Sequence, residues 1–205
     1  MTTTAHALLS ASSAERWIAC TASPRFEEQF PETTTDYAEE GRLAHSICEL
    51  KVQKKFTTAI TQRQYTDRLK KLKKDPLYSE EMDRTSDFYI DHLTEKAMSY
   101  NTMPLINSEV RVGFAEYVPE GFGTCDCVMI GGDMLDITDY KHGKGVPVSA
   151  SGNPQMRLYG LGALTKYEPF YGGIIQRVRM TIVQPRIQDE PTGETLTVDE
   201  LKAWG

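Results

Sequence analysis

The chain has 205 residues, 40% hydrophobic and 25% charged, with 15 Gly and 10 Pro, which suits one soluble domain with a core of ordinary size. No apolar run approaches the 18 or so residues of a membrane span, and the opening MTTTAHALLSASSAERW lacks the basic flank and apolar stretch of a signal peptide. Four cysteines are too few for a disulfide scaffold, so a reducing, cytoplasmic compartment is expected. The net charge of −6, taken alone, argues against a nucleic-acid partner.

The charge is not spread evenly. The window Lys51–Lys74 holds nine basic residues and one acid, Asp67, a formal charge of +8, which leaves −14 for the remainder. One reading is a solvated lysine-rich helix face; the other is a phosphate-attracting surface, with Lys70, Lys71, Lys73 and Lys74 as its contacts.

In chain order, Ser12 and Glu15 form a capping-box pattern ahead of a short helix at 13–20. Asp36 and Glu39 repeat it before Leu43, Ala44, Ile47 and Leu50, which predict an amphipathic helix of about five turns. A basic helix from Thr61 should stop before Pro76, and the apolar spacing from Met82 to Ala97 marks another long helix from Glu80 to about Tyr100. After Pro104 the period changes to that of strands, at 105–114, 122–130 and 133–141, the last two joined by a Gly131-Gly132-Asp133 hairpin. A helix of about 13 residues over NPQMRLYGLGALTKY and a strand at 173–184 complete a βββαβ unit. The expected fold class is α/β: a small mixed sheet flanked by helices, preceded by a helical segment spanning residues 1–100, all in one domain. Residues 185–205 are expected to be a tail. Thr197 and Glu200 cap a final turn containing Trp204, which either docks or belongs to a longer helix; the second is preferred.

Chemistry concentrates in GTCDCVMIGGDMLDITDYKHGKG. Asp139 and Lys141 stand two apart on a strand and share a face, with Tyr140 on the other. In-register pairing brings Asp126 beside Asp139, where two carboxylates and a lysine suit a divalent cation. Two solvent-facing acids with a salt-bridging lysine are the plainer alternative. Cys125 and Cys127 flank Asp126 and are expected to pack in the core on the face opposite it. Glu109 is read as an ordinary strand acid rather than an outer acid of the site. Lys144 lies between Gly143 and Gly145, where backbone approaches a phosphate closely; the residues around it are not those of a Walker motif.

Gly123-Thr124-Cys125-Asp126, Asp139-Tyr140-Lys141, Gln155-x-x-x-Tyr159 and the upstream Gly41-Arg42-Leu43-Ala44-His45 together resemble the PD-(D/E)xK nuclease superfamily in its RecB-like branch. The resemblance covers about residues 12–184. It is nearest to a phage and prophage family through Arg16 to Cys20, Asp139 to Gly145 and Asn153 to Ala163.

That resemblance implies a restriction-endonuclease-like core and a deoxyribonuclease, most simply an exonuclease of phage recombination or DNA processing. It implies Mg²⁺ or Mn²⁺ on Asp126, Asp139, the Tyr140 backbone carbonyl and His45. Lys141 would orient the hydrolytic water, and Gln155 and Tyr159 would reach the same site. For His45 the plainer alternative is a structural pair with Glu49. DNA is the implied partner, with phage recombination proteins and an oligomer admitted. Some RecB-like nucleases hold an iron–sulfur cluster with one early and three late cysteines; Cys20 takes the early place, but no cysteine follows Cys127, so no such cluster is expected here. A DNA-binding protein that keeps the fold without turnover is the alternative, and the three polar residues Asp126, Asp139 and Lys141 speak for the enzyme. A hydrolase of small phosphoesters has no use for the +8 window.

Overall fold

The computed structural model describes residues 8–30, 34–57 and 59–205. After a 3₁₀ turn at Ala11–Ser13, helices α1 (Ala14–Ala19), α2 (Ser23–Glu27), α3 (Asp36–Phe56), α4 (Gln62–Leu72) and α5 (Glu80–Met98) precede strands β1 (Leu105–Gly113), β2 (Phe122–Gly131) and β3 (Met134–Tyr140). Helix α6 (Pro154–Tyr171), β4 (Arg177–Val183), β5 (Thr192–Thr197) and α7 (Val198–Trp204) follow. The five strands form one sheet in sequence order. β1, β2 and β3 are antiparallel neighbours, α6 carries the chain across to β4 parallel to β3, and β5 closes the edge antiparallel to β4.

The mixed α/β architecture and the βββαβ order therefore match expectation. Two apolar clusters sandwich the sheet. Leu135 and Ile137 of β3 pack with Leu158, Leu161 and Leu164 of α6, whereas Tyr140 packs with Ile47 of α3 and Leu93 of α5. The alternating side chains of a strand account for this division.

Helix starts differ from the predicted caps by a residue or two. Thr35, not Asp36, caps α3 and accepts from the Ala38 N–H. Ser12 makes no capping box with Glu15; Ser13 precedes α1 and its hydroxyl bonds instead to Ser10. The Thr61 and Gln64 pair, by contrast, forms a full capping box at α4. Helix α6 runs 18 residues rather than about 13, ending where Gly172 (φ 54°) and Gly173 (φ 79°) turn left-handed, which also delays β4 to Arg177.

The expected tail is structured. Its strand β5 alternates half-buried and exposed residues of which Leu196 is the one large apolar side chain, so it carries no apolar pattern. The capping box of Thr197 and Glu200 is present, and α7 docks with Leu201 fully buried and Trp204 beneath the Arg157 guanidinium, 5.5 Å from the ring centre. No helix among the described residues is long and apolar enough to cross a membrane.

Candidate active site

The regular ladder breaks where the acids gather. Ser108 pairs with Cys127 and Val110 with Cys125, yet Cys127 packs in the cluster under α3 and α5 and Cys125 in the cluster under α6. The two cysteines are both buried but on opposite faces, which corrects the expectation of a shared one. The reversal occurs at Glu109, whose φ of 50° is left-handed, and at Asp126 opposite it. A non-glycine residue there breaks the strand's alternation and turns its side chain out of the regular pleat.

Asp126 uses both oxygens to join three elements. Oδ2 accepts from the Tyr140 backbone N–H at 2.7 Å, and Oδ1 lies 3.2 Å from Nδ1 of His45 on α3. The His45 ring also stands edge-on to Tyr140, 5.4 Å between centres. His45 thus meets Asp126 rather than Glu49, whose carboxylate accepts from Gln53. Glu109, expected to be an ordinary strand acid, joins them: His45, Glu109 and Asp126 each offer a ligand atom within 4.8 Å of the others.

On the α6 side, Asp139 and Lys141 do share a face. Lys141 Nζ sits 3.0 Å from Asp139 Oδ2 and donates to Gln155 Oε1 at 3.0 Å. Gln155 Nε2 reaches Asp139 Oδ1 at 3.4 Å and the Tyr159 hydroxyl at 3.1 Å. Pro154 and the Asn153 side chain, which accepts from Met156 N–H, start α6 so that Gln155 and Tyr159, one turn apart, point at β3. Gly123 has a specific reason: a Cβ there would meet Tyr159 Cε1 at 2.6 Å. All five residues expected to do chemistry, Asp126, Asp139, Lys141, Gln155 and Tyr159, thus lie near one another around the end of β3 and the middle of β2, with His45 across from them.

Burial raises the Asp139 carboxyl above its usual range, against the pull of Lys141, and Asp126 raises it further. Lys141 loses to burial but gains more from Asp139, so its ammonium is held above the ordinary value. Burial lowers His45, yet the charge and hydrogen bond of Asp126, with Asp139 behind, carry it up to about 9. Withdrawal from water, Asp126 and Glu49 push Glu109 up to about 7. Burial leads in raising the two carboxyls and neighbouring negative charge adds to it, whereas for His45 that charge overcomes burial.

The donor set fits a hard divalent cation. It comprises carboxylates and one imidazole with no thiolate among them, and the almost fully buried Asp139 Oδ2 faces only the Lys141 ammonium among the described residues. A cation would also relieve the crowding of acids that now holds a proton on His45. The cleft beside it, about 580 Å³, is open and lined by Gly41, Arg42, His45, Glu109, Thr124 and Asp126 among others.

A third polar group, which sequence reasoning missed, backs the site. His142, 3% exposed, places Nε2 3.1 Å from Glu40 and Nδ1 3.0 Å from the Tyr140 hydroxyl. Arg186 donates to Glu40 at 2.9 Å and to the His142 carbonyl at 3.1 Å, and pairs with Glu81 at 2.8 Å. Its only signal in the sequence is that His142 directly follows Lys141. The adjoining loop is tied by Gln184, which donates to the Gly143 and Val146 carbonyls and accepts from Val148 N–H; Lys144 lies exposed between the two held carbonyls.

Of the basic window, Lys70, Lys71 and Lys74 are exposed and make no ion pair among the described residues. Lys73 is not free: it pairs with Asp83, whose carboxylate also accepts from Tyr78. Lys51 is buried against Asp87 at 2.6 Å. Cys20 is exposed, while Cys48, Cys125 and Cys127 are buried, and none of the four is in a disulfide.

Residues 6–205 match the family model described as "Protein of unknown function (DUF2800)". The chain belongs to that family. Among solved structures this DUF2800 member is similar to an alkaline exonuclease from Laribacter hongkongensis (LHK-Exo), with 12% identity, 78% of this chain and 81% of that one covered, and a TM-score of 0.33. It is similar also to LHK-Exo in complex with dAMP, with 13% identity, 78% and 80% covered, and a TM-score of 0.35.

Proposed function

We propose that this protein is a metal-dependent nuclease of the PD-(D/E)xK type that hydrolyses phosphodiester bonds in DNA. The observation that carries the reading is the bonded group of Asp139, Lys141 and Gln155 beside an open cleft, with Asp126 held on the Tyr140 backbone N–H between Asp139 and Lys141. Asp126, Asp139, the Tyr140 carbonyl and His45 would hold Mg²⁺ or Mn²⁺, with Glu109 at the rim. Such a cation supplies Lewis acidity toward a phosphoryl oxygen and makes water easier to deprotonate.

The chain's own residues divide the remaining work. Lys141, kept cationic by Asp139, is positioned to orient the attacking water and to offset the negative charge that develops on phosphorus oxygens. Gln155 fixes the ammonium through its Oε1 and the carboxylate through its Nε2, and Tyr159 fixes Gln155. Lys144 and the exposed lysines of α4 supply attraction for the phosphate backbone that three clustered acids would otherwise repel. An exonuclease role in phage recombination or DNA processing, in the cytoplasm, is the reading that the RecB-like resemblance supports.

The test is incubation of end-labelled single- and double-stranded DNA with Mg²⁺, Mn²⁺ or chelator, beside Asp126→Ala and Lys141→Ala. Cation-dependent cleavage lost in both variants is expected. Cleavage that survives both substitutions would falsify the site.

A further inference from the structure

Two grooves on this protein share part of a wall. The cleft at His45, Glu109 and Asp126 includes Ser46 and Glu49 of α3, and the same two residues open a second groove of about 230 Å³ between α3 and α4. Its far wall is Arg68 and Lys71 of α4, and Gln53 lines its α3 side. Arg68 and Lys71 are three apart, so they share a helix face, and both are exposed. Lys70 leaves the helix on another side.

We infer that the α3–α4 groove is the track for a single nucleic-acid strand leading to or from the acidic site, with Arg68 and Lys71 as its phosphate contacts. The inference rests on the nuclease reading above. Three features select the occupant. The groove and the cleft share Ser46 and Glu49, so a polymer lying in one can extend past them into the other. Along α3, His45 to Gln53 spans about 12 Å at ~1.5 Å per residue, a reach that calls for a polymer longer than one nucleotide. Finally, helices in direct contact pack with axes ~8–10 Å apart, too close for a duplex to sink between them, whereas one extended backbone fits.

Glu49 is the single acid among the described residues lining this groove, with its Oε1 held by the Gln53 amide at 2.8 Å. It stands between the metal-binding candidates and the two cations. A phosphate strand passing there meets repulsion at Glu49 and attraction at Arg68 and Lys71. The substrate this geometry favours is therefore a single strand, or a duplex whose end is unpaired for several nucleotides.

The experiment measures anisotropy of a labelled 12-nucleotide single strand, a blunt duplex and a duplex with a 12-nucleotide overhang, in chelator so that nothing is cut. Arg68→Glu with Lys71→Glu should weaken single-strand and overhang binding about tenfold or more. It should also reduce the salt dependence by about 1.4 in log–log slope, since each lost phosphate contact on a single strand is worth ~0.7. Lys70→Glu with Lys74→Glu makes the same charge change off the groove and should weaken binding by a smaller factor. Glu49→Gln should tighten it. Circular dichroism establishes that each variant is folded. Equal losses in the two double variants, or tighter wild-type binding to the blunt duplex, would overturn the track while leaving the nuclease reading intact. No binding of wild type to any of the three substrates, together with no cation-dependent cleavage, would remove both.

Discussion

His45 and Asp126, 81 positions apart in the chain, meet at 3.2 Å between Nδ1 and Oδ1. That contact ties the helical first half of the molecule to the sheet, and it closes the open side of the acidic cluster. With both residues as cation ligands, His45→Ala should weaken Mn²⁺ binding about tenfold to a hundredfold, the scale seen when even the supporting partners of a metal site are lost. Calorimetric titration measures it, and unchanged affinity would reduce His45 to a packing residue.

Lys141 should separate catalysis from cation binding. Removing an ammonium 3.0 Å from a carboxylate that is to bind a cation relieves repulsion, so Lys141→Ala should hold Mn²⁺ at least as tightly as wild type. Its turnover should nevertheless fall by about 10²–10³, the cost of losing one preorganised charge at a developing anion. Single-turnover cleavage beside calorimetry reads the two effects separately.

Gly123→Ala reaches the site indirectly. The new methyl would stand 2.6 Å from the Tyr159 ring, so the ring must move and Gln155 loses its hydroxyl partner. Turnover should drop in Gly123→Ala, and Tyr159→Phe, which removes the hydroxyl without the clash, should reproduce part of the loss. Full activity in both variants would detach Tyr159 from the mechanism.

A separate buried network governs stability. Asp136 is fully buried against Lys96 at 3.3 Å and Arg179 at 2.5 Å, and it also accepts from Tyr100. Burial alone would raise its carboxyl, but Arg179, Lys96 and Tyr100 reverse the direction and hold it below the ordinary value. Asp136→Ala strands the buried Lys96 ammonium and should cost about 3–5 kcal/mol in urea unfolding. Lys96→Met added to it should recover part of that loss.

His92 supplies a pH dependence of definite sign. Burial and the charges of Lys96 and Arg179 lower it to about 4, against 6.5 when unfolded. Between those values the unfolded chain binds the proton and the folded one does not, so stability is complete above about pH 6.5 and declines as the pH falls toward 4. Wild type should therefore lose stability relative to His92→Gln between pH 7 and 5, read as a widening difference in urea midpoint. A constant difference would mean that His92 titrates normally.

Much of this architecture was legible because local signals and long-range order agree. The period change at Pro104, the Gly131-Gly132-Asp133 hairpin and the two-residue spacing of Asp139 and Lys141 each correspond to what the strands do. Spacing fails where the backbone departs from its period. Nothing in the residues around Glu109 announces a left-handed φ, so neither its place in the acidic cluster nor the opposite burial of Cys125 and Cys127 was readable. Pairing across the fold is hidden in the same way: Lys73 looks as free as its neighbours until Asp83 is brought against it, and His142 looks like a loop residue until Glu40 and Arg186 enclose it. Strand β5 escaped because an edge strand with one apolar residue, Leu196, has no pattern to show.

The Gln184 tether gives the loop around Lys144 a thermodynamic role. Backbone ordering costs roughly 1–2 kcal/mol per residue, and here three hydrogen bonds to one buried side chain meet that cost during folding, before any anion arrives. A phosphate meeting Lys144 has only side-chain rotamers left to restrict. Gln184, which touches no substrate in this scheme, would thus set how tightly an exposed lysine two positions from His142 grips what it meets.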